Sequence, residues 1–285
     1  MKAEAARKLT DTALNELTAA LEAGQSDQLT RYLKVMGSFH HYSFSNVMLI
    51  IAQRPDATHV AGFQTWKSLD RYVKKGEKGI VIIAPMVLRN TDDASGTPES
   101  VLRFRAVHVF DVSQTDGEPL PEVEKVSGDP GAHLDRLRTA IVSRGITLEV
   151  RDLGGAEGIS SGGKIAVRPG LNPSEEFATL VHEFAHELLH QVDKSERPSK
   201  TVRETEAEAV AFVVSHAIGL SARTASADYI QLYAGSKDTL LASLDRVQRA
   251  ASQILTALSD HEKPSDQHRC DGDADRGGRA FLVVL

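Results

Sequence analysis

The sequence predicts an α+β chain in two domains. Two β-branched, partly alternating stretches, 79–88 and 101–112, sit among helical patterns in the first part of the chain. A Pro/Gly/Glu-rich run without period, 116–131, then interrupts it. Beyond that run the helical period returns around two short apolar strands. The expected division is a helical and β-hairpin domain over 1–116, a linker over 117–130, a second domain over 131–260 and a disordered tail over 261–285. With 41% apolar and 25% charged residues in 285, the composition is that of a globular chain large enough for two cores.

Taken in order, residues 4–23 have a helical period ended by Gly24, and Ser26 caps a second helix reaching about Gly37. Phe39 to Asn46 is a turn rich in aromatic and capping residues, leading into a short apolar helix that stops near Pro55. Another short helix begins at Gly62-Phe63-Gln64-Thr65-Trp66 and runs into the basic turn Lys74 to Gly79. The residues from Arg89 to Ser100, between the two strands, are polar and read as a mobile hairpin loop. Asp129-Pro130 supplies a cap and a first-turn proline for a helix to Arg144, and Gly145 stops it. Ile146–Arg151 and Lys164–Arg168 read as strands around a Gly/Ser-rich turn. The next helix takes Ser174 as its cap, with Glu175 and Glu176 in the first turn. A polar loop, 194–200, precedes a helix from about Thr201 to Leu220, and 226–233 and 236–259 supply two more. From Glu262 the chain is polar until the apolar end 281–285.

Several function classes drop out on composition. The run Val47 to Ala52 is among the longest apolar ones and is far too short to span a bilayer. With no apolar leader at the N-terminus and one cysteine, Cys270, the expectation is a cytoplasmic protein without disulfides or membrane contact. Any metal must then be held by histidine and carboxylate. The net charge of −6 lies wholly beyond residue 120; between 54 and 90, seven basic residues face three acidic ones.

Chemistry concentrates in Val181-His182-Glu183-Phe184-Ala185-His186. On a helix His182 and His186 lie about 40° apart, so one cation can take a nitrogen from each. Glu183, about 100° round from His182, is near enough to work on a water at that cation without being a ligand. A His-Glu-x-x-His string also arises by chance, mostly on exposed helices or in loops. Here Phe177, Val181, Phe184, Ala185 and Leu188 form an apolar arc whose edge carries both histidines, which chance matches usually lack.

Two histidines need a third protein ligand. Glu204 and Glu208 share a face at the start of the next helix, with Glu206 about 160–200° away. That helix is apolar nearly all round, so a carboxylate on it is costly unless it meets a cation. Glu204 is the expected third ligand and Glu208 the group that orients a ligand histidine through its other nitrogen. Their roles remain exchangeable on sequence grounds, and a solvated acidic first turn is the plain alternative.

The strand, signature helix, loop and helix opening Glu204-Thr205-Glu206-Ala207-Glu208 resemble the ImmA/IrrE-type metallopeptidases. The resemblance implies a zincin-like, gluzincin-type domain holding one zinc ion, or another divalent cation in its place, with a glutamate as third ligand. His190 is an extra that the resemblance does not make a ligand. The first 115 residues are similar to the DNA-binding N-terminal domain of ArdC-type antirestriction proteins. The matching stretches are 44–49, 62–66, 73–80, Ala84-Pro85 and 109–115. Together the two resemblances cover about 1–255. They imply single-stranded DNA as a partner, a protein substrate of unknown identity, and protection of incoming mobile-element DNA.

Lys67, Arg71, Lys74, Lys75 and Lys78 can follow a phosphate backbone, while Trp66, and also Tyr72, Phe44 or Tyr42, can stack on bases. Trp66 in an apolar pattern is more often core than platform, and a Lys-rich turn is more often merely solvated. The expected chemistry is peptide hydrolysis, with Glu183 as general base and the strand 164–167 as an edge that aligns an extended substrate. Two other readings stay open: a protector acting by DNA occupancy with a non-catalytic metal site, and a regulatory peptidase that cleaves a repressor. Removal of proteins crosslinked to DNA also fits.

Overall fold

The computed structural model describes residues 3–23, 27–90, 99–120, 128–191, 197–220 and 236–259. The α+β class expected from the sequence is the one found. In the first region, α1 (Ala3–Glu22) and α3 (Phe44–Gln53) pack against β3 (Ile80–Asn90) and β4 (Glu99–Asp111), which with β1 (Val60–Gly62) form an antiparallel sheet in the order β1-β4-β3, while α2 (Asp27–Ser38) packs among the helices. A short α4 (Phe63–Ser68) leads to β2 (Arg71–Val73), paired antiparallel with β5 (Thr115–Gly117).

The expected loop between the long strands is shorter than the sequence suggested. Arg89 pairs with Ser100 and Asn90 with Glu99, because an antiparallel ladder carries polar residues as readily as apolar ones. What remains of the loop, 91–98, lies outside the described residues.

The outer edge of β3 is closed by side chains. Asn46 donates to the Ile83 carbonyl and accepts from the Ile83 N–H, both at 2.9 Å. Gln53 does the same for Val81, at 2.8 and 3.0 Å. Two amides on one face of α3 thus replace a missing strand at alternate residues.

In the second region α5 (Ala132–Ser143) precedes a small sheet of β6 (Thr147–Val150), β7 (Gly158–Ser160) and β8 (Lys164–Val167), ordered β6-β8-β7. Then come α6 (Pro173–Leu189), α7 (Lys200–Ala217) and α8 (Lys237–Ser259). The strand β7 was not expected. As a result β8, expected at an edge, is the middle strand, parallel to β6 and antiparallel to β7. Two caps also differ. Gly131, not Asp129, caps α5, and its N–H is held by the Asp129 carboxylate at 2.9 Å. Asn172, not Ser174, caps α6: Asn172 accepts from the Glu175 N–H while the Glu175 carboxylate accepts from the Asn172 N–H. Pro173 at the first position pre-sets the turn, and the helix starts two residues earlier than a Ser174 cap would place it.

The two regions share one apolar core that runs from Leu14, Leu33 and Met36 through Val213 and Val214 to Leu244 and Val247. At Gly37 the helices α2 and α7 come so close that an added Cβ would stand 2.9 Å from the Ala217 Cβ and 3.0 Å from the Val213 carbonyl oxygen. Gln248 of α8 donates to the Phe39 and Tyr42 carbonyls at the end of α2. Half of the expected linker (121–127), the expected helix at 226–233 and the tail lie outside the described residues. Among the described residues no helix is long and apolar enough to cross a membrane.

Candidate metal centre

The helix α6 buries Phe177, Leu180, Val181, Phe184 and Ala185, which leaves His182 and His186 half-buried along the border of that face. Packed against it, α7 is buried over most of its circumference, yet its second turn presents Glu204 with half of its side chain exposed. The His182 and His186 Nε2 atoms face each other at 3.1 Å, and the Glu204 Oε2 lies 3.5 Å from each. These three groups offer ligand atoms all within 4.8 Å of one another, a donor set suited to one divalent cation.

The remaining nitrogen of His182, Nδ1, is 3.4 Å from the Glu208 Oε2. A carboxylate there holds the proton on Nδ1 and leaves Nε2 bare for a metal. Glu204 and Glu208 therefore stand on opposite sides of the same ring, Glu204 toward both Nε2 atoms and Glu208 behind. Burial works against a charged His182, but the Glu208 hydrogen bond and the Glu183, Glu208 and Glu204 charges outweigh it and raise its pKa. For His186, burial and then the adjoining His182 ring push the pKa down.

Glu183 is 8% exposed and sits beside the pair. Burial raises its pKa, and the Glu204 and Glu187 charges add to that, against the opposing pull of His182 and of the Ser160 N–H. A carboxylate displaced toward neutrality is a better proton carrier near pH 7 than one in open water. Its approach depends on Gly158 of β7, where a Cβ would come within 2.8 Å of the Glu183 Oε1 and 2.7 Å of its Cγ. Both the centre and β7 line a cleft of about 670 Å³, rimmed further by Ser161, Gly162, Gln191, Arg197, Lys200 and Arg203.

Sequence reasoning missed three parts of this site. Gly158-Ile159-Ser160 is too short to show a period. His190, which the family resemblance does not make a ligand, is 2% exposed and lies against His186 and Glu206. Glu187 was not singled out; its carboxylate holds the Ser160 hydroxyl and the Gly162 and Gly163 N–H groups, which fixes the β7–β8 turn on α6. The signal for it was present, since Glu187 follows His186 directly and faces a Gly-rich turn.

The basic and aromatic residues expected to meet DNA divide. Lys67, Lys75 and Lys78 are exposed. Lys74 donates to the Ser113 carbonyl at 3.0 Å and lies 3.6 Å from the Asp116 carboxylate. Arg71 is committed to β5 and the residue after it: it donates to the Thr115 hydroxyl and to the carbonyls of Thr115, Gly117 and Glu118. Trp66, expected to stack on bases, is fully buried and its indole N–H donates to the Phe110 carbonyl at 2.8 Å. An amphipathic ring with one hydrogen bond to make is best used inside, so that expectation is corrected. Phe44 is likewise buried, and Tyr42 spends its hydroxyl on the Val60 carbonyl, burial pushing its pKa up to about 12. Tyr72, 54% exposed, is the one of the four named aromatics that can stack; Phe63 and Phe104 are exposed as well.

Residues 4–112 match the family model of the N-terminal domain of anti-restriction factor ArdC. An uncharacterized protein of Bacillus anthracis is 22% identical over 304 residues, an alignment that takes in 90% of this chain and 51% of the relative. The chain thus spans about half the length of the curated relative it matches. Two crystal structures of the antirestriction ArdC protein from plasmid R388 share the fold. The metal-free one has a TM-score of 0.54 at 17% identity, covering 90% of this chain and 99% of that one. The Mn(II)-bound one has a TM-score of 0.53 at 19% identity, covering 89% and 99%. The N-terminal region is ArdC-like, and the ArdC fold extends over nearly the whole chain.

Proposed function

We propose that this chain is an antirestriction-type protein that binds DNA through its N-terminal region and hydrolyses a peptide bond at a divalent metal centre in its C-terminal region. The observation that carries the second half is the convergence of His182, His186 and Glu204 beside a buried Glu183. In this reading His182, His186 and Glu204 hold one cation. Zinc suits the histidine and carboxylate donors, and the Mn(II) bound by the R388 relative makes manganese an alternative. When bound, the cation supplies Lewis-acid polarisation of a carbonyl and lowers the pKa of water.

The chain's own residues do the rest. Glu183 takes a proton from the attacking water and returns it to the leaving amine, so one carboxylate serves both halves of the reaction. Glu208 holds the His182 ring in the metal-binding tautomer. The edge strand β7, beside the cleft and not paired on its outer side among the described residues, adds an extended substrate as a further strand; this replaces β8 in that role. The resemblance to ImmA/IrrE-type peptidases supports this assignment of roles. The DNA half rests on the ArdC-like N-terminal match together with exposed Lys67, Lys75, Lys78 and Tyr72.

Metal analysis of the purified wild type against His182→Ala tests the centre. One bound divalent ion in the wild type and none in the variant is the expected result; equal content in both would sink the site. Glu183→Gln then separates hydrolysis from occupancy. Antirestriction that survives loss of the general base assigns protection to DNA binding alone.

A further inference from the structure

Behind His186, on the side away from Glu204, runs a chain of polar groups that the hydrolytic reading does not use. The His186 Nδ1 is 2.9 Å from the His190 Nδ1, and the His190 Nε2 is 3.0 Å from the Glu206 Oε2. The Glu206 Oε1 in turn meets the Arg246 guanidinium, with Nε at 3.0 Å. Arg246 also donates to the Ser243 hydroxyl. His190 is 2% and Glu206 0% exposed, so this is a buried line from α6 through α7 to α8.

We infer that His190 is a positioning residue of the metal centre, fixing the proton of His186 on Nδ1 through a donor–acceptor chain that ends on Glu206 and Arg246. The inference rests on the metal-centre reading above. A guanidinium carries donors only, so Glu206 accepts from Arg246. An ionised carboxylate has no proton to give, so His190 must donate from Nε2 to Glu206. Given a neutral His190, protonation on Nε2 leaves the lone pair on Nδ1, so His190 accepts there from His186; a doubly protonated His190 in the nitrogen spectra overturns the inference. His186 then carries its proton on Nδ1, and its Nε2 lone pair points at the Nε2 of His182 and at Glu204. Two histidines alone could hold the shared proton in either order; the carboxylate and the guanidinium remove that freedom.

The two ligand histidines are thus oriented by different means. His182 leans directly on Glu208, which is partly exposed. His186 leans on the His190 ring, whose carboxylate partner lies one step further back.

The test uses the full chain with histidine labelled in nitrogen. In the metal-free wild type, long-range proton–nitrogen correlation should show His186 protonated on Nδ1 and bare on Nε2. His190→Leu should blur that preference and weaken Zn²⁺ binding, measured by competition with a chromogenic chelator, by about 10–100-fold, the usual cost of losing a partner behind a ligand. His190→Gln, whose amide can accept from His186 and donate to Glu206, should restore affinity close to wild type. Thermal unfolding of the metal-free proteins reports folding separately. A purely structural His190 would lower the unfolding temperature and leave Zn²⁺ affinity unchanged, which overturns the inference, as would a His186 protonated on Nε2. Where His190→Leu does not fold, Arg246→Met at the partly exposed end of the line takes its place, with a severalfold loss of Zn²⁺ affinity expected and none counting against it. A wild type that binds no Zn²⁺ removes the metal centre itself, whereas wild-type binding with an indifferent His190→Leu removes the positioning role alone.

Discussion

The sheet of the first region and the metal centre of the second use polar side chains for opposite purposes. In the ArdC-like region they are spent on backbone. Asn46 and Gln53 close the edge of β3, and Gln114 ties Asp111 to Lys78 and Glu77. Asp111 holds the N–H groups of Thr58, His59 and Ser113. At the metal centre the polar groups face one another, with Glu204 against both His182 and His186, and Glu208 against His182. The first arrangement is complete as it stands, because each donor has its acceptor within the fold. The second brings two imidazole lone pairs and a carboxylate to one point, which is favourable once a cation sits between them. A buried polar group therefore marks a site by what it faces.

Changing one member of each set should give different kinds of loss. Glu183→Gln is the largest expected effect: peptide hydrolysis should fall by roughly 10²–10⁴-fold, the usual contribution of a general base, with metal content and unfolding temperature unchanged. Coincident loss of metal would recast Glu183 as a structural member of the centre.

Asp111→Ala should do the reverse, lowering stability by about 2–4 kcal/mol in denaturant titration while metal affinity stays at the wild-type value. Its pH dependence is a further check. Burial works to raise the Asp111 carboxyl, but the hydrogen bonds from Ser113, Thr58 and His59 outweigh it and hold the pKa below its ordinary 3.8. A depressed carboxyl contributes stability that is complete above the unfolded value and is lost as the pH falls through the folded one. The gap between wild type and Asp111→Ala should hence be constant near neutrality and shrink below about pH 4. A gap that stays level down to about pH 2 would mean that the carboxylate charge contributes nothing.

Smaller effects are expected on the proposed DNA face. Lys75→Glu with Lys78→Glu should weaken oligo-dT binding and flatten its dependence on salt by one or two counterions, about 0.7 in slope for each phosphate no longer neutralised. Binding that is indifferent to the double change would move the interface elsewhere. Trp66→Phe should cost about 1 kcal/mol of stability by removing the bond to Phe110, and leave DNA affinity untouched. A drop in affinity without a drop in stability would restore the ring as a platform.

How much of this was legible follows the same contrast. The signature helix announces itself because period and chemistry coincide over 177–189, and the shared face of Glu204 and Glu208 follows from their spacing. The helices and the long hairpin were likewise visible in the pattern. The β7 strand was not, since three residues carry no alternation and a strand's place in a sheet is set by partners distant in sequence. The expectation for Trp66 fails because composition reports that a group is aromatic, while its burial and pairing with Phe110 are properties of the fold. The placement of Glu206 off the Glu204 face was right, yet its use with His190 and Arg246 needed α8, forty residues away, to be in place.

The close passage of α2 over α7 at Gly37 bears on how this protein can be taken apart. Leu33 and Met36 share a core with Val213 and Val214, so a cut between β5 and α5 would strip apolar cover from both products. Each half expressed alone would present a sticky helical face in place of a domain surface. The proposed DNA-binding and hydrolytic parts therefore share one core, and point substitution can separate them where truncation cannot.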